Sequence, residues 1–86
     1  MEIILSVEEY SPVRGVQTGW ETGHKISVSI EGTEVVIVVN PEALRTLAVH
    51  FLTLAQDGVP TGNHLRYEPG AGLEDGSTSL VIVREG

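Results

Sequence analysis

The chain has 86 residues and a mass of 9.2 kDa, which limits it to a single domain over residues 1–86, because two independently stable cores would each need more chain than half of this length. Twelve acidic against five basic side chains give a formal net charge of -7, which argues against nucleic acid as a partner, since no phosphate-neutralising surface can be assembled from so few cations. With 41% hydrophobic and 20% charged residues the composition is that of a folded domain with a core, and the absence of cysteine excludes disulfides, thiolate metal sites and thiol nucleophiles.

At the start of the chain, Met1-Glu2-Ile3-Ile4-Leu5 lacks the cationic region and long apolar stretch of a secretory signal. No run approaches the roughly 20 apolar residues of a membrane span, so the expected location is the cytoplasm and no membrane is expected as a partner. Ile3-Ile4-Leu5-Ser6-Val7 is short, apolar and β-branched and predicts a first strand. Pro12, Gly15, Gly19 and Gly23 then punctuate residues 11–24, which read as a loop or irregular hairpin carrying Trp20.

Ile26-Ser27-Val28-Ser29-Ile30 alternates strictly, Gly32-Thr33 is a two-residue turn, and residues 35–39 are β-branched and aliphatic. This hairpin places Glu31 opposite Glu34 and pairs Ile30 with Val35, Val28 with Ile37 and Ile26 with Val39 on a core-facing side. The opposite side holds Ser27 and Ser29 beside Val36 and Val38. Asn40-Pro41-Glu42 is a helix start, with an N-cap acceptor, a proline where no donor is lost and an acid at the positive dipole end. The helix is expected from Pro41 to about Asp57, with Gly58 just beyond it. Its apolar half collects Ala43, Leu44, Leu47, Ala48, Phe51, Leu52, Leu54 and Ala55 around Phe51, with Glu42, Arg45, Thr53 and Gln56 opposite.

His64-Leu65-Arg66-Tyr67-Glu68 alternates and reads as a half-buried strand, residues 69–76 as a loop, and Leu80-Val81-Ile82-Val83 as the last strand. The expected architecture is an α+β two-layer domain, a four- to five-stranded antiparallel or mixed sheet with one helix on one face, in the order β-β-β-α-β-β.

Chemistry would have to come from His24, His50, His64 and the carboxylates. No histidine pair has metal-ligand spacing on a helix or strand, and His50 and Asp57 stand two helical turns apart, about 10 Å, too far for a base and its orienting acid. Gly70-Ala71-Gly72 has no following helix and no P-loop lysine, so it reads as a turn. The pattern points to a non-catalytic protein without a cofactor. Trp20 is either an interface anchor or a plate over the core's rim. The acids in loops and strand ends, among them Glu21, Glu31, Glu34, Glu68, Glu74 and Asp75, either solvate the fold or concentrate into a patch for a basic partner. One helix covers only one sheet face, so Val36 and Val38 on the other are candidates for self-association as a homodimer, through that face or an adjoining edge strand.

Gly62-Asn63-His64-Leu65-Arg66-Tyr67-Glu68, followed by Leu73-Glu74-Asp75-Gly76-Ser77 and the final aliphatic strand, resembles the immunity protein 32 family of bacterial polymorphic-toxin systems over residues 25–85. The loop at 11–24 looks like an insertion. The resemblance implies a cytoplasmic protein that neutralises a cognate toxin by binding it, with His64, Glu68, Glu74 and Asp75 on the matching strand and loop. Trp20 and Glu21 complete the candidate partner-binding set. The competing readings are a homo-oligomeric accessory domain and a small hydrolase or metal protein built on the histidines.

Overall fold

Gly32 adopts φ +64°, the sign that a two-residue turn with glycine in first position requires, and it joins strand β1 (Ile26–Glu31) to β2 (Glu34–Val39). The register of this antiparallel pair is the one the alternation predicts, with Ile26 opposite Val39, Val28 opposite Ile37, Ile30 opposite Val35 and Glu31 opposite Glu34. These features come from a computed structural model that describes residues 1–16 and 18–86.

Asn40 caps helix α1 (Pro41–Leu54). Its side-chain oxygen accepts from the N–H groups of Ala43 (3.0 Å) and Lys25 (2.9 Å), and its amide donates to the Gly23 carbonyl (2.9 Å), so one side chain starts the helix and fastens it to the entry of β1. The helix stops at Leu54, short of the expected Asp57. Arg84 donates from its guanidinium to the carbonyls of Leu54 (2.9 Å) and Gln56 (2.5 Å), which puts a cation at the negative end of the helix dipole.

Three further strands follow, β3 (His64–Pro69), β4 (Gly72–Leu73) and β5 (Leu80–Val83). β3 pairs antiparallel with β5 and parallel with β4, giving a three-stranded sheet beside the β1–β2 sheet. The segment after β4 joins the two. The N–H of Glu74 donates to the Ile26 carbonyl and that of Thr78 to the Val28 carbonyl, both at 2.8 Å, and the Val28 N–H donates to Ser77 Oγ at 3.2 Å. One edge of β1 is thus occupied by residues 74–78.

The α+β class, with one helix and five strands among the described residues, is as expected, but the order is β-β-α-β-β-β and the strands form two sheets. Residues 3–7 form no strand. Ile3 and Ile4 are exposed, and the N-terminal segment is held by side-chain contacts instead: the Tyr10 N–H donates to Gln56 Oε1 (2.9 Å) and Gln56 Nε2 to the Glu8 carbonyl (2.8 Å). Strand propensity cannot supply a pairing edge, and the outer edge of β1 is already taken.

The core consists of Ile26, Val28, Ala43, Leu54, Val59, Leu65, Tyr67 and Leu73. Two expectations about it are corrected. Phe51, placed at the centre of the buried helical face, is 45% exposed, and Leu44 and Leu52 also face water, while the buried helical residues are Ala43, Thr46, His50, Thr53 and Leu54. Thr53, assigned to the solvent side, is 1% exposed. The polar members of this stripe carry their hydrogen bonds inward with them: Thr46 Oγ1 donates to the Glu42 carbonyl (2.9 Å) and Thr53 Oγ1 to the Val49 carbonyl (2.7 Å). The hairpin is likewise covered over half its length. Ile26 and Val28 are buried, but Ile30, Val35 and Ile37 on the same side are exposed, because α1 contacts β3 as well as β2 and leaves the turn end of the hairpin uncovered.

Candidate functional site

Alternation along β3 sends Leu65 and Tyr67 inward and His64, Arg66 and Glu68 outward. The register with β5 sets His64 opposite Val83 and Arg66 opposite Val81, so these five residues share the outer, helix-free face, with Arg66 Nη1 lying 3.8 Å from Glu68 Oε1. The outer face of the hairpin carries Ser27, Ser29, Val36 and Val38, as expected. In the last strand Val81 and Val83 face outward and Leu80 and Ile82 inward. Ile4 and Ser6, in the segment read as a first strand, lie outside both sheets.

Glu74 and Asp75 sit in the turn that follows β4, held in place by the Glu74 N–H bond to β1. With His24, Gly70, Gly72 and Leu73 they line a shallow depression of about 260 Å³. Glu68 lies opposite Gly72 in the β3–β4 register, so Glu68, Glu74 and Asp75 gather at one end of β3. His64 is at the other end, about 13 Å away along the strand.

Glu21 is engaged by the helix. Its carboxylate accepts two hydrogen bonds from Arg45 of the helix, at 2.7 and 3.0 Å, and this contact holds it below the usual carboxylate range against a smaller opposing effect of desolvation. Its N–H donates to Thr46 Oγ1 at 3.1 Å.

Trp20 is half-buried. Its ring stacks on His24 with centroids 4.2 Å apart, and meets His50 and Tyr67 edge-on at 4.9 and 5.7 Å. Gly72, at φ +111°, lies against the indole so closely that a Cβ would stand 2.6 Å from Trp20 Cζ2. This is the rim-plate alternative for Trp20, and it makes the loop at 11–24 part of the core's closure.

Beneath the indole, His50 is 2% exposed and both ring nitrogens are engaged, Nε2 with the Gly19 carbonyl at 2.6 Å and Nδ1 with the Tyr67 hydroxyl at 3.0 Å. A carbonyl only accepts, so Nε2 carries the proton, and Nδ1 of the neutral ring accepts from the Tyr67 O–H. Burial lowers the His50 pKa, outweighing the Gly19 bond that raises it, with the nearby His24 lowering it further. Burial also pushes the Tyr67 hydroxyl up to about 12. The chain Tyr67 to His50 to Gly19 is therefore neutral and fully bonded, and it latches the Trp20 loop to helix and sheet.

Sequence reasoning weighed His50 only as a base or metal ligand and passed over Arg84. A signal for the first existed: Ala43, Thr46, His50, Thr53 and Leu54 recur at helical spacing, a small and polar stripe matching the buried side. The three histidines do not converge. Among the described residues no group of three or more His, Asp or Glu side chains is arranged to hold a metal ion.

This geometry defines a small α+β fold with a hydrogen-bonded interior beneath Trp20 and an open, charged outer sheet face. The model of the immunity protein 32 family matches residues 34–85, which span β2, the helix and all of β3 to β5. The chain belongs to the immunity protein 32 family. Trp20, Glu21 and β1 lie before the matched segment. No curated protein and no solved structure matches the chain. No helix among the described residues is long and apolar enough to cross a membrane.

Proposed function

We propose that this protein neutralises a cognate bacterial toxin in the cytoplasm by stoichiometric binding, with no chemistry and no cofactor of its own. The observation that carries this reading is the acidic end of β3, where Glu68, Glu74 and Asp75 gather inside the family-matched segment beside an open sheet face. An excess of seven negative charges over 86 residues steers a basic partner toward such a patch and raises its association rate. His64, at the far end of the same face, extends the surface along β3. Glu21, paired with Arg45 of the helix, and Trp20, packed into the rim, contribute to binding by holding the scaffold that presents this face.

The test is co-expression with any toxin gene found adjacent to the gene for this chain. Reversing charge at all three acids, Glu68→Lys, Glu74→Lys and Asp75→Lys, is expected to abolish both protection from growth arrest and capture of the toxin while the circular dichroism spectrum is retained. Full protection by the triple variant would refute the acidic patch as the contact.

A second reading rests on the hairpin. Val38 is 63% exposed beside Val36 on the outer face, and such an uncovered aliphatic surface supports association of two copies.

A further inference from the structure

The strand β2 has one edge in the hairpin and the other open. A two-residue loop makes Glu31 and Glu34 a hydrogen-bonded pair, so the backbone groups of residues 34, 36 and 38 point to β1 and those of Val35, Ile37 and Val39 point away. The same alternation turns the backbone of Ile26 and Val28 outward on β1, where residues 74–78 satisfy it. Among the described residues nothing pairs with the outward groups of Val35, Ile37 and Val39. The strand reads Glu-Val-Val-Ile-Val-Val, with no proline, lysine or bulge to blunt the edge, and Val35 and Ile37 are 62% and 42% exposed.

We infer that β2 is a homodimerisation edge, on which the β2 strand of a second copy pairs antiparallel about a two-fold axis at Ile37. The register follows from the backbone. An antiparallel pair exchanges hydrogen bonds only between residues that both point outward, and centring on Ile37 sets Ile37 opposite its own counterpart and Val35 opposite Val39 of the other copy. Val36 and Val38 then become neighbours on the outer face. The result is a continuous four-stranded sheet, β1-β2-β2-β1.

Charge agrees with this register. Glu31 and Glu34 oppose each other within the hairpin, an unfavourable like-charge pair. Centring on Ile37 puts Glu34 opposite Asn40 of the other copy. Lys25 stands on the far side of that Asn40, since the Asn40 N–H donates to the Lys25 carbonyl at 3.1 Å. By alternation Lys25 and the incoming Glu34 share the outer face about 10 Å apart, within reach of their long side chains, and the relation occurs twice in the dimer. The contact uses the edge of β2 opposite the β1 edge that residues 74–78 occupy, so variants of β2 and of the β3 acids test it and toxin binding separately.

Sedimentation of the intact chain at high micromolar concentration is expected to show a dimer. Ile37→Lys is expected to weaken it about tenfold or more while leaving the far-ultraviolet spectrum and the melting of the dilute, monomeric chain unchanged. Because the chain has no cysteine, Ile37→Cys introduces a single thiol, whose Cα in the paired strands would lie about 5.5 Å from its counterpart, within disulfide range. Mild oxidation should cross-link it, whereas Val35→Cys, about 13 Å from its own counterpart, should stay uncross-linked. Glu34→Lys should weaken the dimer and Glu34→Lys with Lys25→Glu should restore it. A monomer at that concentration overturns the inference. So does a dimer indifferent to Ile37→Lys, which would place the contact on another face, and so does loss of toxin capture by Ile37→Lys in a monomeric chain, which would give the edge to the toxin.

Discussion

The interior beneath Trp20 and the turn half of the β1–β2 hairpin reverse the order that hydropathy would give them. Beneath Trp20 the helix buries Thr46, His50 and Thr53, and at the hairpin Ile30, Val35 and Ile37 stand in water. The first region is stable because every polar atom taken inside has a partner there: among the described residues no buried side-chain nitrogen or oxygen lacks one. The second is exposed because the one helix is spent on β3 and the Ile26 end of the hairpin. Burial in so small a domain follows the reach of its single helix and the satisfaction of hydrogen bonds, and the apolar surface left over is what a partner can use.

Substitutions at the two regions should therefore differ in kind. The largest effect is expected for Gly72→Ala, which combines an unfavourable φ of +111° with a Cβ set 2.6 Å from the Trp20 ring. A loss of about 3 kcal/mol or more in urea unfolding is expected, with a change in tryptophan fluorescence. Next, Tyr67→Phe strips the donor from His50 Nδ1 and leaves a buried acceptor unpaired, at a cost of about 2 kcal/mol by the same measurement. Asn40→Ala removes the helix cap together with its ties to Lys25 and Gly23, and should cost about 1–2 kcal/mol.

A smaller, graded effect is expected with pH. The folded pKa of His50 is lowered below the unfolded value of about 6.5, so the unfolded chain binds the proton more tightly. The His50 contribution is complete above about pH 6.5 and is lost as pH falls from there toward the folded pKa, by no more than about 1.4 kcal/mol per pH unit. Denaturation midpoints measured across that range should show the decline, and His50→Gln should lack that part of it. At the hairpin, by contrast, Val35→Lys should change the stability of the monomeric chain by less than about 0.5 kcal/mol, because its side chain stands mostly in water. A loss as large as that of Tyr67→Phe would erase the contrast between the two regions.

Local chemistry made part of this molecule readable in advance. The register of Ile26 to Val39 follows from alternation and a glycine turn, the start of the helix from Asn40-Pro41, and the inward Leu65 and Tyr67 from period-two spacing. The resemblance carried by residues 62–83 pointed to the right family. The buried helical face was misread because a hydropathy wheel gives no weight to a histidine whose two nitrogens find Tyr67 and Gly19. Both partners are remote in sequence. Arg84 was passed over for the same reason, since its carbonyl partners at Leu54 and Gln56 belong to another element.

What the amino-acid sequence determines by itself is what neighbouring residues can enforce on one another: turn signs, strand alternation, the helix cap and the overall negative charge. Tertiary structure alone decided that residues 74–78 close one edge of β1, that Trp20 shelters a neutral His50–Tyr67 pair, and that β2 keeps an open edge. Those outcomes depend on which segments, far apart in the chain, reach the same hydrogen-bonding groups, and local propensity carries no information about that competition.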